Sequence, residues 1–197
     1  LSKPKTIGDA LGPAIEEMGG LDVLVTNHGG TEPLSFEEAT VADFDGAYES
    51  VLKSTVCTIK TALPHLKAGG GTITNLVAAS TLEPPEGSIL NSSIRAGIYG
   101  LSKSLADEYS GAGIRTNCVS PRAVLTDRIE YKIDVLADRE GISRADARDR
   151  RTEELPIGRL GTPEEFGRAV TFIASPAADF VTGTVLQVDG GWHRHAF

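Results

Sequence analysis

Short apolar runs alternate with longer stretches of helical periodicity along this chain. Four runs are continuous rather than alternating, at 22–27, 71–78, 114–120 and 184–189. Continuous runs of this length are typical of strands buried on both faces of a parallel sheet. The intervening stretches predict helices at 6–18, 46–67, 92–110 and 162–174. This order implies right-handed crossovers, and it predicts an α/β fold with a three-layer, doubly wound parallel sheet in one domain over 1–197.

Two further segments refine this prediction. Thr162, Pro163 and Glu165 form the start signal of a helix, with an N-cap, a proline at the first position and a capping-box acid. The segment 127–155 is rich in charges and has no strand pattern. We interpret it as a helical excursion inserted before the 162–174 helix.

Composition restricts the class of protein. The chain is 40% hydrophobic and 23% charged, as expected of a globular domain, and no apolar run approaches the length of a membrane span. A net charge of −8 argues against nucleic acid as a partner. Cys57 and Cys118 lie in different predicted elements, which favours reduced thiols and a cytoplasmic location.

In a parallel sheet of this kind, ligands bind where the strands end at their carboxyl edge. This selects the residues that follow 27, 78 and 120. After the first strand comes Asn27-His28-Gly29-Gly30, where glycines allow close approach of a ligand. A plain strand-to-loop turn explains these glycines equally well, so both interpretations stay open.

Several motifs carry a family resemblance. They are Leu24-Val25-Thr26-Asn27-His28-Gly29-Gly30; Gly113-Ile114-Arg115-Thr116-Asn117 with Ser120-Pro121; Pro156 to Glu165 (PIGRLGTPEE); and Val181-Thr182-Gly183 with Val188-Asp189-Gly190-Gly191-Trp192. Their order and spacing resemble the short-chain dehydrogenase/reductases, especially enzymes similar to 3-oxoacyl-carrier-protein reductase. The resemblance covers essentially the whole chain and implies a Rossmann-like fold and NAD(P)-dependent oxidoreduction of a carbonyl or alcohol.

One family motif is missing from the printed sequence. Members of the family begin with a strand and a glycine-rich turn, Thr-Gly-x-x-x-Gly-x-Gly, that holds the dinucleotide pyrophosphate at a helix N-terminus. We therefore expect a sheet that lacks the N-terminal half of the family's sheet, with the strand at 22–27 at its edge. We also expect a truncated or degenerate enzyme whose NAD or NADP binding is weak or absent in this chain alone.

The resemblance also assigns the catalytic positions, and all four are substituted. The tyrosine position falls at Asn91, the lysine position at Arg95, the serine position at Ala78 and the relay asparagine position at Val51. Asn91 has no titratable proton, and Arg95 keeps a positive charge without exchanging protons at neutral pH. Ala78 and Val51 offer no polar side-chain atom.

Three residues remain as candidates for a rebuilt catalytic site: Ser80, Asn91 and Arg95. Ser80 lies two residues past the serine position, so that it either presents its hydroxyl to the site or caps its own backbone, the latter being favoured. Asn91 either faces the site or forms the N-cap of the following helix, again with the cap favoured. Arg95 contacts a cofactor or other anion, or it forms a surface ion pair.

Tyr99 and Lys103 match the family's Tyr-x-x-x-Lys string but stand eight residues too late in the register. Eight residues along one helix correspond to about 12 Å and a rotation of about 80°. We therefore expect both side chains to miss the site. His193 and His195 lie close together near the C-terminus, but no carboxylate or cysteine set accompanies them, and we predict no metal site.

The resemblance predicts the partners as well. Cofactor contacts are expected at Asn27, His28, Gly29, Arg95, Pro121, Val124 and Thr126. The expected substrate is a small carbonyl or alcohol, bound beside the variable segment 127–155, without nucleic acid or membrane. A homodimer or homotetramer is expected through the helices at 46–67 and 92–110, which carry the small residues Ser54, Thr55, Ala96 and Gly97. The alternative function is a non-catalytic structural or partner subunit that keeps this assembly surface.

Overall fold

The computed structural model describes residues 6–194. Its sheet contains four parallel strands in the order β1-β2-β3-β4. They are β1 (Val23–Thr26), β2 (Gly71–Leu76), β3 (Ile114–Pro121) and β4 (Val185–Val188). All four predicted strands are confirmed, and so is the parallel sheet, in which each strand pairs with the next along the chain.

Seven α-helices precede or connect the strands within the described residues. They are α1 (Ile7–Met18), α2 (Val41–Ala47), α3 (Ser54–Gly69), α4 (Ile89–Tyr109), α5 (Asp127–Glu140), α6 (Arg144–Glu153) and α7 (Pro163–Ala174). The helical excursion predicted at 127–155 is α5 and α6. The predicted helix at 46–67 is wrong in its start and in its continuity, since a π-helix, Tyr48–Lys53, separates α2 from α3.

The main hydrophobic core lies between the sheet and the helices α1, α3 and α4. Leu24, Ile73 and Ile114 extend from three adjacent strands into this core, where Ile59 and Leu66 of α3 cover them. Their side chains are at most 6% exposed. At about 25 cal/mol per Å² of buried apolar surface, this layer is the principal source of stability.

Strand β1 forms one edge of the sheet, as the sequence predicts. It pairs only with β2 among the described residues. Its side chains alternate, with Leu24 buried while Val23 and Val25 are 44% and 43% exposed. One face of this edge strand is therefore uncovered.

Two polar side chains of β3 fix the segment that leads into β4. Arg115 donates hydrogen bonds to the carbonyl oxygens of Ile173, Ser175 and Val181 at 3.0–3.2 Å. Asn117 donates to the carbonyl oxygen of Val181 at 2.9 Å and accepts from the backbone N–H of Thr184 at 3.1 Å. These bonds tie the backbone at the end of α7 and the loop that follows it to β3, and the bond to Ile173 satisfies a carbonyl at the helix C-terminus.

The predicted start of α7 is confirmed. Thr162 and Glu165 exchange the two hydrogen bonds of a capping box, and Pro163 takes the first helical position. Arg159 donates to both carboxylate oxygens of Glu165, at 2.8 and 2.6 Å. The Arg159 hydrogen bonds, together with the Thr162 N–H, hold the pKa of Glu165 at about 2.

The small residues predicted for the dimer surface are mostly used inside the chain. Ser54 and Thr55 are 1% and 2% exposed, and their hydroxyls donate to carbonyl oxygens of the preceding turn. A Cβ at Gly97 would lie 2.8 Å from a methyl group of Leu52, so this glycine allows α4 to approach the π-helix. Of the four, Ala96 alone is exposed. Ser54, Thr55 and Gly97 therefore contribute to packing within the chain and do not mark a surface for assembly.

The expectations about the two cysteines and about membrane-spanning segments can be compared with the described residues. Cys57 and Cys118 are both free thiols, and the Cys118 thiol is buried. Over residues 6–194, none of the helices is long and apolar enough to cross a membrane.

Candidate active site

Ser80 and Asn91 lie together at the carboxyl edge of the sheet. Ser80 belongs to a single 3₁₀ turn, Ala79–Thr81, just beyond the end of β2. The Asn91 amide donates to the Ser80 hydroxyl at 3.0 Å, and the Ser92 hydroxyl donates to the Ser80 carbonyl at 2.8 Å. Because the Ser80 hydroxyl accepts from Asn91, its own hydrogen remains available to a ligand.

This geometry contradicts the favoured alternatives for both residues. Helix α4 begins at Ile89 with Ser88 in the cap position, so that Asn91 is its third residue and not its N-cap. The bond that the Ser80 hydroxyl makes is to the Asn91 side chain and not to its own backbone. Local residue preferences favour capping, whereas a hydrogen bond between the 3₁₀ turn and α4 positions both side chains.

Arg95 lies one helical turn after Asn91 and is fixed by two strand ends. Its guanidinium donates to the carbonyl oxygen of Val77 at 2.9 Å and to that of Gly29 at 3.3 Å. Its Nε is buried and has no partner within the described residues. No Asp or Glu of those residues pairs with it, so the surface ion pair is wrong. Burial and the nearby Arg128 lower the Arg95 pKa to about 10, so it stays charged at neutral pH.

The loop after β1 forms an open surface at the carboxyl edge of the sheet. Asn27 and Gly29 are exposed, and a Cβ added at Gly29 would meet no atom within 4 Å. Asn27 accepts a hydrogen bond from the backbone N–H of His28 at 2.9 Å, which turns the chain out of the strand. There is therefore room for a ligand above Gly29, as the sequence predicts, although a cofactor contact at Asn27 or Gly29 stays a prediction.

His28 is buried beneath this loop. Its side chain is 8% exposed, its Nδ1 lies 3.3 Å from the Gly29 carbonyl oxygen, and its Nε2 has no partner in the described part of the chain. Burial, reinforced by the positive charge of Arg95, lowers the His28 pKa to about 4. The imidazole is therefore neutral at neutral pH, and His28 supports the loop from below without facing solvent.

The lowered pKa of His28 predicts a pH-dependent stability. The folded-state pKa lies below the ordinary value of 6.5, so the neutral imidazole stabilises the fold above pH 6.5 and this contribution is lost as the pH falls towards 4. We expect a loss of about 2 kcal/mol in unfolding free energy over that window. Urea unfolding of wild type, His28→Gln and the matched His65→Gln variant at several pH values measures it. If His28→Gln retains the wild-type dependence on pH, the assignment is wrong.

The loop after β3 carries the other predicted cofactor contacts. Pro121 is the last residue of β3, and Thr126 is the exposed N-cap residue of α5. Val124 forms a bridge with Gly161 and lines a cavity of about 190 Å³ together with Arg122 and Phe166. Contact of these residues with a cofactor stays a prediction.

The two apolar substitutions lie where the register places them. Val51 is fully buried in the π-helix, packed in a cluster with Val77 and Ile98. Ala78 follows β2 directly and presents its carbonyl oxygen, not a side-chain hydroxyl, to Tyr99. Both positions are therefore without a polar side chain in the folded protein as well.

Tyr99 reaches further than expected, whereas Lys103 does not. The Tyr99 hydroxyl lies 3.2 Å from the Ala78 carbonyl oxygen and 3.1 Å from the Ser120 hydroxyl, at the ends of β2 and β3. The expectation that it misses this edge is wrong, because helical side chains lean towards the N-terminus of their helix. Burial raises the pKa of Tyr99, and its ring packs on the cluster around Val51. Lys103 is exposed beside Gly183, away from Ser80.

A group of cations lies at the same edge of the sheet, and the sequence alone did not identify it as part of the site. Arg128 of α5 extends over the loop after β1, where a Cβ at Gly30 would lie 2.2 Å from its guanidinium, and it donates to the Thr31 carbonyl at 3.4 Å. Lys132 follows one turn later on α5 and is surrounded by arginines. The sequence did contain a signal for this group. Arg128 and Lys132 stand four residues apart on one predicted helix, in the segment after a strand end, in a chain that is acidic as a whole.

No group of three or more His, Cys, Asp or Glu side chains in residues 6–194 is placed to hold a metal ion. The backbone N–H of His193 donates to the Asp189 carboxylate at 3.1 Å. His195 lies outside the described residues.

Comparisons with known proteins agree with this fold and identify the family. A family model described as "Enoyl-(Acyl carrier protein) reductase" matches residues 1–193. An uncharacterized oxidoreductase of Schizosaccharomyces pombe is 34% identical over 97% of this chain and 71% of its own length. The 3-oxoacyl-[acyl-carrier-protein] reductase FabG of Chlamydia muridarum is 31% identical over 97% and 73%.

The fold itself has similar solved structures. The L-sorbose reductase of Gluconobacter frateurii, solved in complex with NADPH and L-sorbose, superimposes with a TM-score of 0.92 at 26% identity. The match covers 98% of this chain and 74% of that enzyme.

Proposed function

The chain belongs to the short-chain dehydrogenase/reductase family, and from that premise we propose that it carries the substrate side of an NAD(P)-dependent carbonyl reduction or alcohol oxidation. In this proposal Ser80, Asn91 and Arg95 replace the family's serine, tyrosine and lysine. The observation that carries it is the hydrogen bond from Asn91 to Ser80, which leaves the hydroxyl of a partly exposed serine free to donate.

The residues present fit the nicotinamide half of a dinucleotide. The space above Gly29 is open, and Arg95 stands beside it with a charge that no carboxylate of the described residues neutralises. Asn27, Gly29 and Arg95 would hold the nicotinamide ribose and its phosphate. When bound, the nicotinamide supplies or accepts the hydride.

Each of the three residues has a distinct task in this proposal. The Ser80 hydroxyl donates a hydrogen bond to the carbonyl oxygen, and Asn91 orients that hydroxyl. The fixed positive charge of Arg95 stabilises the negative charge that develops on the oxygen during reduction, which is the kind of preorganised electrostatics that lowers a barrier most. His28 and Arg95, with pKa values of about 4 and 10, keep their protonation states at neutral pH. We therefore assign the proton to solvent.

Product formation tests the proposal. The protein is incubated with NADH or NADPH at millimolar concentration and a panel of ketones, keto acids and aldehydes, and alcohols are detected by mass spectrometry. We expect at least one alcohol to form in wild type and not in a Ser80→Ala, Asn91→Ala double variant. Formation at equal rates in both would contradict the roles of Ser80 and Asn91.

A second candidate is a non-catalytic partner subunit. The observation that favours it is that Val51 and Ala78 provide no polar side chain at two of the four catalytic positions. The absence of any alcohol product across the panel, with either dinucleotide, would favour this candidate.

We also propose a homodimer or homotetramer, in line with the family resemblance. Tyr48 and Ala96 remain exposed on the helices that the resemblance places at the interface. A stable interface buries about 1,600 Å² in total. We expect light scattering at micromolar concentration to give at least twice the monomer mass, and a monomeric mass would contradict the assembly.

A further inference from the structure

Positive charge is concentrated at the carboxyl edge of the sheet, although the whole chain has a net charge of −8. Lys132 of α5 has four arginines around it, one from its own helix and three from other elements: Arg128, Arg151 of α6, Arg122 after β3 and Arg95 of α4. Lys132 is an exposed residue whose ammonium nevertheless loses part of its hydration, and this loss, followed by the repulsion by these arginines, lowers its pKa to about 8. Like charges at this density are unfavourable unless an anion joins them.

Two of these cations lie near a carboxylate, that of Glu154. Arg122 donates to Glu154 at 2.9 Å and stacks on Trp192, with its guanidinium 3.9 Å from the ring centroid. Arg151 is attracted by the same Glu154 but forms no ion pair within residues 6–194. The excess charge is therefore greatest at Arg95, Arg128 and Lys132, which have neither an ion pair with an Asp or Glu of the described residues nor such a neighbouring carboxylate.

These three cations are adjacent to the proposed reaction site. Arg95 donates a hydrogen bond to the Gly29 carbonyl, and Arg128 donates one to the Thr31 carbonyl. The Arg128 guanidinium also lies over Gly30, the residue between Gly29 and Thr31. Arg128 and Lys132 are four residues apart and share a face of α5. Arg95 in turn follows Asn91 by one turn of α4, about 6 Å along the helix axis. The cations thus continue from the residues proposed to bind the carbonyl oxygen.

We propose that Arg128 and Lys132 bind a carboxylate of the substrate, so that this protein acts on oxo acids or hydroxy acids and not on neutral ketones or alcohols. This inference rests on the proposed function, since it takes the anion to be part of the carbonyl or alcohol substrate. Arg128 presents a planar fork suited to a carboxylate, and Lys132 adds a point charge to the same anion. Arg95 is held by backbone carbonyls and stays with the reacting oxygen.

A matched pair of probes separates charge from shape. Dissociation constants of acetoacetate and of methyl acetoacetate, its neutral ester, are measured by NMR titration below pH 7, without dinucleotide. We expect acetoacetate to bind at least about tenfold more tightly, a difference of about 1.4 kcal/mol. Arg128→Gln and Lys132→Gln each remove about this preference and leave the ester unaffected. Lys60→Gln, the same change on the exposed face of α3, leaves both probes unaffected.

Lys132 adds a pH signature that a purely structural role does not produce. As the pH rises through about 8, Lys132 loses its charge, and we expect acetoacetate to bind more weakly in wild type but not in Lys132→Gln. Circular dichroism confirms that each variant is folded. Equal affinity for the two probes in wild type would overturn the inference.

The cofactor is the other source of an anion, and inorganic pyrophosphate distinguishes it. If Arg128→Gln and Lys132→Gln weaken pyrophosphate and leave acetoacetate unchanged, the cations serve the dinucleotide and the inference is wrong. These titrations are independent of turnover. Selective acetoacetate binding without any hydride transfer would therefore contradict the proposed function and leave the carboxylate site standing.

Discussion

Replacing Ser80 with alanine is expected to lower the rate of hydride transfer by about 100-fold, the usual cost of removing one donor to a developing oxyanion. Asn91→Ala is expected to cost about tenfold, because the Ser80 hydroxyl keeps its place but loses the amide that orients it. The measurement is single-turnover hydride transfer at saturating carbonyl substrate. A selective loss in this rate, with substrate affinity unchanged, marks an interaction made in the transition state.

Two variants on the same helix serve as controls. The Ser93 hydroxyl bonds only to carbonyl oxygens of its own helix, so Ser93→Ala removes a serine close to Asn91 without touching the site. Tyr99→Phe removes the hydroxyl of the Tyr-x-x-x-Lys string. Because that hydroxyl bonds to the Ala78 carbonyl and the Ser120 hydroxyl and not to Ser80 or Asn91, we expect the rate to stay within a few-fold of wild type. A loss of two orders of magnitude in Tyr99→Phe would show that Tyr99 is the general acid and that the register is wrong.

Arg115→Ala is expected to cost about 3 kcal/mol of unfolding free energy. The Arg115 side chain is 15% exposed, and its removal breaks three hydrogen bonds to backbone carbonyl oxygens. The Ile173 carbonyl loses its donor, whereas the Ser175 and Val181 carbonyls keep their bonds from the Ala178 N–H and the Asn117 amide. These carbonyls lie at the end of α7 and before β4, so the loss reaches the packing of both elements. Urea unfolding monitored by circular dichroism measures it.

Arg159→Ala is the matched control for Arg115. Arg159 makes two short bonds to Glu165, but its side chain is 52% exposed and the pair lies in solvent. Exposed ion pairs contribute little because water competes for both charges. We therefore expect a clearly smaller loss in Arg159→Ala. Equal losses in the two variants would show that the Arg115 bonds to the backbone are not what stabilises this region.

The sheet was predictable from its apolar runs, although only the central strands β2 and β3 are buried on both faces and β1 is covered on one face. Continuous apolar runs mark all four strands, and the crossover rule then fixes their parallel order. The π-helix at Tyr48–Lys53 was not predictable, since nothing in its six residues distinguishes one more residue per turn from a regular helix. The role of Arg115 was also hidden, because its partners are backbone carbonyls about 60 residues away.

The site was predictable in its position more than in its contacts. The carboxyl-edge rule selects the segment after β2 that contains Ser80, and the family register selects Asn91 and Arg95. The bond between Ser80 and Asn91 depends on a 3₁₀ turn that advances the chain by two residues, and local capping preferences do not encode such a contact. Tyr99 was misplaced because rise and rotation along a helix locate the Cα and not the tip of a long side chain.

Deuterium transfer from the dinucleotide to the substrate reports hydride transfer without relying on absorbance changes. The protein is incubated with dinucleotide carrying deuterium at nicotinamide C4 and with a carbonyl substrate that gave product, and the alcohol is analysed by mass spectrometry and NMR. We expect one deuterium at the carbinol carbon, lost in the Ser80→Ala, Asn91→Ala double variant and retained in Tyr99→Phe. An alcohol without deuterium, or a label that survives in the double variant, would contradict hydride transfer at this edge of the sheet.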